Sequence, residues 1–172
     1  HVVWDWVEAC QAATGAPIME DMNSQIVYRG GFDKAVGFFN ISYNPYNGYR
    51  SSASTAYMHP IMKNGSMPRK NLHLFLETWV NCLEFDAEDP KRVRGVFAES
   101  KDGHRKVIRA RREVILAAGA FDTPRLMLLS GIGPRADLER VGIPCRHDLP
   151  GVGANLNDHP ETIIIWDTAE TP

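Results

Sequence analysis

The residues best suited to chemistry are Ala117, Ala118, Gly119 and Ala120, four small side chains that follow the apolar run Val114, Ile115, Leu116. Where a strand ends, small residues let a backbone or a flat ligand come within contact distance, and glycine adds access to φ > 0. Thr123 and Pro124 then read as a helix start, a hydroxyl cap followed by a ring that loses no hydrogen bond at the first helical position. Leu126, Met127, Leu128 and Leu129 are apolar all round, as in a buried helix. Ser130 and Gly131 close it, and Gly133 with Pro134 forbids continuation. An ordinary α/β crossover accounts for the same pattern, so the junction alone does not define a cofactor site.

Other chemistry is poorly supported. Residues 50–60, RSSASTAYMHP, are rich in hydroxyls, but no GxSxG elbow and no suitably placed His accompany them, which argues against a hydrolase. Cys10, Cys82 and Cys145 are odd in number, far apart and without CxxC spacing, which speaks against a disulfide scaffold or a zinc site. His59 and His159 tempt a reader seeking a general base, yet each follows a motif that places it structurally.

The elements that position the junction can be read on either side of it. Apolar residues at 3, 6, 7, 9, 10 and 13 predict a helix that Gly15 and Pro17 end. Residues 16–50 are loop-rich with short strands, and their aromatics (Phe32, Phe38, Phe39, Tyr43, Tyr46, Tyr49) serve as loop anchors or wall a small cavity. A short helix is expected before His59 and Pro60, then a polar loop over residues 63–70. Residues 72–85 predict a strand, followed by strands over 93–99 and 104–110 with Asp102-Gly103 in a tight hairpin between them. This antiparallel meander feeds a doubly covered parallel strand at 114–116. Arg109, Arg111 and Arg112 read as a solvated strand end. Beyond the junction lie a helix over 135–141 stopped by Gly142, a strand over 143–149, a tight turn over 150–153, a loop over 155–159 and a strand over 162–166.

At 172 residues and 44% hydrophobic content the chain can build one core. A net charge of -2 leaves no basic field for nucleic acid and no polybasic membrane patch, and apolar runs fall short of the roughly 20 residues of a spanning helix. The chain opens on His1 without an initiator Met and stops just after an apolar strand has begun, as a piece of a longer protein would. The redox compartment and localisation stay open, with a cytoplasmic chain favoured over a secreted one.

The run Gly119, Ala120, Thr123, Pro124, Leu126, Met127, Ser130, Gly131, Ile132 and Gly133 resembles the second signature of the glucose-methanol-choline (GMC) flavoprotein oxidoreductases. Arg50 to Pro60, then Asn71, Leu72 and Leu74, then Phe85 and Asp86, then the run 149–161 keep the order of the middle part of such an enzyme. The resemblance covers nearly the whole chain. Arg50, Ser51, Ser52, Ser54, Tyr57, His59 and Pro60, with Asp158, His159, Pro160 and Glu161, are most similar to the choline-oxidising members.

The resemblance implies an α/β (α+β) fold: part of an FAD/NAD(P)-binding Rossmann-like domain with an antiparallel β-meander, plus pieces of a separate substrate-binding domain. Residues 1–62 would belong to the substrate-binding or cap region, 63–156 to the FAD domain with a helix over 124–130, and 157–172 to the start of the substrate-domain sheet. The family moves a hydride from an alcohol carbon to FAD, giving an aldehyde or ketone, while a base takes the hydroxyl proton. By resemblance, the Val80 backbone pairs with the adenine, Ala118, Gly119 and Ala120 lie against the cofactor, and Glu161 faces a cationic substrate group. The family's catalytic His lies C-terminal to these residues, so none of them is assigned as catalytic. The GxGxxG pyrophosphate loop and any covalent flavin attachment residue are also missing, so this piece alone is expected neither to hold FAD firmly nor to turn over. The implied partner is a small-molecule alcohol, and a homo-oligomer is compatible with these readings. Two alternatives stay open: a lyase on the same scaffold, like the plant hydroxynitrile lyases, or a noncatalytic binding module.

Overall fold

The computed structural model describes residues 2–21, 35–38, 41–62, 69–165 and 167. They fall into two compact units, His1–His73 and Leu74–Pro172.

In the first unit, helix α1 (Val2–Thr14) forms where predicted, but of its periodic apolar positions only Val7 is buried, while Val3, Trp6, Ala9 and Ala13 are exposed. It ends where the Gly15 N–H donates to the Gln11 carbonyl at 2.8 Å. Strands β1 (Ile18–Met19) and β2 (Val36–Gly37) pair in parallel, Ile18 opposite Val36. Trp4 meets Phe38 edge-on, with ring centroids 5.0 Å apart. A bridge between Tyr43 and Arg50 closes a turn over residues 44–49. The helix expected before Pro60 is a π-turn, Ser54–Met58, running into a 3-10 turn, His59–Ile61. The His59 N–H reaches back five residues to the Ser54 carbonyl, and Pro60, which has no N–H to donate, stands at the start of the 3-10 turn.

The second unit is organised by the meander β3 (Thr78–Phe85), β4 (Val93–Ser100) and β5 (Arg105–Arg109), in that spatial order. The Asp-Gly hairpin forms as its residues require. Gly103 takes φ +80° and donates to the Ser100 carbonyl, while the Ser100 N–H donates to His104. Leu83 of β3 and Ala98 of β4 are buried, and helix α2 (Gly119–Leu129) packs on β3. After α2 come β6 (Ile132–Gly133), α3 (Arg135–Arg140) and β7 (His147–Asp148), with β6 and β7 parallel. Leu138 of α3, 1% exposed, is the centre of this small crossover.

Several expectations need correction. Residues 114–116 enter no described ladder, and Ile115 is 77% exposed, because no strand of the described chain lies alongside to share its hydrogen bonds. The same holds for residues 162–165, where Ile163, Ile164 and Ile165 are exposed; Trp166 lies outside the described residues. The strand predicted from residue 72 begins at Thr78, after Glu77 turns the chain with φ +46°. The strand over 143–149 shrinks to β7. Arg109 is not merely solvated. It grips Glu84 with Nε at 3.2 Å and Nη2 at 3.0 Å, two strands away across Gly95. A Cβ at Gly95 would run into the Ile108 carbonyl, and glycine's missing side chain leaves the path across the sheet clear. Residues 63–68 of the predicted polar loop, and Phe32 and Phe39, lie outside the described residues.

The turn between β3 and β4 depends on charge. Asp86 Oδ1 accepts the Glu88 N–H at 3.0 Å, which is the main cause of its carboxyl lying below the usual range, with Arg94 and Arg92 adding to it. A depressed folded pKa stabilises the turn above the ordinary Asp value of about 3.9 and ceases to do so as pH falls through the lower folded value. Hydrogen exchange should therefore show the protection of the Glu88 amide falling below about pH 4, the ordinary Asp range. In Asp86→Asn that acid-dependent fall should be absent.

Candidate functional site

The corner between residue 116 and α2 is built from backbone rather than side chains. Ala117, Ala118, Gly119 and Ala120 are all exposed. Gly119 has φ +89°, and a Cβ placed on it would meet nothing within 4 Å, so the corner is open. The helix starts at Gly119, earlier than Thr123-Pro124 predicted, and Pro124 sits inside it. Thr123 is therefore not the N-cap, which is Ala118 without a capping side chain; its hydroxyl, in the second turn, instead accepts the Ala118 N–H at 2.9 Å and secures the corner. The residue expected to begin the helix thus holds its approach.

Ala120, the last residue of this corner, lines an apolar cleft of about 570 Å³, which Ala118 and Gly119 do not line. Ala120, Pro124 and Leu128 form one wall, and Leu149, Val152 and Leu156 the other. The second wall is held by the predicted turn, in which Val152 N–H donates to Leu149 and Ala154 N–H to Gly151. A cleft of this size, apolar and bordered by accessible backbone, suits a flat ring system.

Val80 is half-buried on β3 opposite Ala98, at an irregularity that leaves Asn81 unpaired. Its neighbours Trp79 and Asn81 line a second cleft of about 750 Å³. No described strand pairs with β3 on the side away from β4. The Arg125 guanidinium, tied to Asp122 at 2.7 Å, lies 4.9 Å from the Trp79 ring centroid. Glu161 is exposed and lines neither cleft. His59 sits exposed in the first unit; His159 is exposed too, its N–H donating to Asp158 Oδ1 at 2.8 Å. Thus Ala118, Gly119 and Ala120 come together, whereas Val80 and Glu161 stand on other segments.

Sequence reasoning missed Ser130. Its buried hydroxyl donates to the Leu126 carbonyl at 2.6 Å and accepts the Leu83 N–H at 2.9 Å, tying α2 to the edge of β3. A serine ending a run of four apolar residues was the available signal, but it read as a helix stop. Among the described residues no cluster of His, Cys, Asp or Glu could hold a metal, and no helix is long and apolar enough to cross a membrane. Burial pushes the Cys82 thiol up, against the pull of Arg146, so it is a poor nucleophile.

An open backbone corner beside an apolar cleft, packed on an antiparallel meander, is the kind of arrangement a flat ligand needs. The GMC oxidoreductase profile matches residues 4–161, and the chain belongs to that family. It is 38% identical over 95% of its length to choline oxidase of Arthrobacter globiformis, covering 28% of that protein. It is 42% identical over 98% of its length to versicolorin B synthase of Aspergillus parasiticus, covering 24%. Among solved structures, a fungal aryl-alcohol oxidase aligns over 64% of this chain and 17% of its own, at 36% identity and a TM-score of 0.57. The chain therefore spans about a quarter of the length of the curated relatives it matches. The family's cofactor is FAD, and the corner with its apolar cleft fits it: a Cβ on Gly119 would meet nothing within 4 Å, and the cleft beside it, which includes Phe121 and Arg125, is lined mainly by apolar side chains.

Proposed function

We propose that the full-length protein oxidises a small alcohol to an aldehyde or ketone. FAD, when bound, supplies the hydride acceptor. This chain's contribution is to seat the cofactor: the backbone of Ala118, Gly119 and Ala120 gives contact distance, the apolar cleft excludes water, and the Val80 backbone offers an edge for the adenine. In this reading 63–156 is the core of the cofactor half, and 1–62 and 157–172 belong to the substrate half. The family match over residues 4–161, combined with the open corner, carries the proposal. It is tested by mixing the full-length protein anaerobically with alcohols. A yellow protein that bleaches supports oxidation. A colourless folded protein would point to a binding module.

A relative 42% identical to this chain is a synthase by name, which favours one second reading, a protein that keeps FAD but catalyses another reaction. Yellow protein that no alcohol bleaches would select it.

Glu161 is the residue proposed to face a cationic alcohol. Its support is the choline oxidase relative and an exposed carboxylate at the end of the matched region. A quaternary ammonium cannot donate a hydrogen bond, so a carboxylate attracts it through charge alone. Glu161→Gln should lower kcat/KM for choline by about tenfold or more, roughly 1.4 kcal/mol or above, and leave a neutral alcohol unchanged. Equal losses on both substrates would remove the role.

A further inference from the structure

The first unit carries a charge asymmetry that cofactor seating does not use. Its later part, residues 34–73, contains five Lys and Arg and no Asp or Glu, whereas the five acidic residues of the unit all precede it. Within this stretch a cleft of about 670 Å³ is lined by Asn44, Asn47, Arg50, Ser51, Thr55 and His59, together with Tyr49 and Ala56, and none of these is acidic.

The lining is biased toward hydrogen-bond donors. Asn44 Oδ1 accepts the Tyr46 N–H at 2.9 Å and Asn47 Oδ1 accepts the Tyr49 N–H at 3.0 Å. With both amide oxygens engaged by backbone, each side chain has its NH2 group left to offer. Arg50 makes no ion pair among the described residues, although its guanidinium is a five-donor fork matched to two-oxygen acceptors. His59 brings a ring N–H in either tautomer, and Ser51 brings a hydroxyl. The Thr55 hydroxyl is already committed, donating to the Ser52 carbonyl at 2.9 Å, and is assigned no part.

We propose that this cleft binds a small oxyanion, a carboxylate or phosphate group, held by the Arg50 guanidinium and by donors from Asn44, Asn47, Ser51 and His59. A cation has no acceptor carboxylate here, and a neutral apolar ligand would strand the donors.

The test is a 31P line-broadening titration of inorganic phosphate with the full-length protein, against a sodium chloride control of equal ionic strength. Saturable broadening at millimolar phosphate is expected, at least tenfold weaker in Arg50→Gln and partly restored in Arg50→Lys. Ser51→Ala and His59→Gln should each weaken binding several-fold, and they keep the test decisive if Arg50→Gln fails to fold. Acetate that displaces phosphate competitively identifies the site as open to carboxylates; acetate without effect restricts it to phosphate groups. Broadening that does not saturate, that chloride reproduces, or that persists unchanged in the folded variants overturns the proposal.

Discussion

Replacing Ala118 by leucine in the full-length protein is expected to leave a folded enzyme that purifies with less than about a tenth of its flavin, a loss of at least 1.4 kcal/mol in binding. Ala118 is exposed, so the larger side chain displaces nothing of the protein's own. It sits at φ -88° and ψ 7°, a conformation that leucine tolerates. The isopropyl group added to its Cβ would project from the corner where the ring system needs contact distance to the backbone. Flavin absorbance per protein, read beside the circular dichroism spectrum, separates blocked binding from misfolding. Ala87→Leu, at an exposed position on the β3–β4 turn, is the control and should keep its flavin. Full flavin occupancy in Ala118→Leu would mean that the corner does not meet the cofactor.

A second large effect is expected in stability. Ser130→Ala removes the one group that the Leu83 N–H and the Leu126 carbonyl share in a buried position. The β3 edge has no described strand to take up that N–H, so it would be left buried and unpaired at a cost of about 1–3 kcal/mol. Against a total stability of order 5–15 kcal/mol this is a substantial share. Urea unfolding should show a lower midpoint with an unchanged slope. A change within about 0.5 kcal/mol, as for an ordinary surface substitution, would show that water or a shifted backbone satisfies Leu83.

The two positions differ in how they could be read. Ala118 is proposed from the family resemblance, because a row of small side chains before a helix fits an ordinary crossover equally well. Ser130 could not be read at all, because the sequence shows a hydroxyl at a helix end but not which strand lies beside it. Arg109 is a similar case: its partner Glu84 is 25 residues away and becomes reachable only through the register that sets both against Gly95.

What the sequence determined by itself is the set of features governed by neighbouring residues. Helix α1, the Asp-Gly hairpin, the glycine stops after α1 and α3 and the tight turn over 150–153 all follow from side-chain spacing and backbone freedom within a few positions. The family signature is equally local, since residues 119–133 form one continuous motif. Only the tertiary structure decided which apolar runs become strands. Hydrophobicity at residues 114–116 and 162–165 signals a wish for burial, but a ladder needs a second chain segment at hydrogen-bonding distance, and that partner is not encoded in the run itself. The same reason separates Thr123 as predicted from Thr123 as found. Its hydroxyl could serve any nearby N–H, and the fold of the corner assigned it to Ala118.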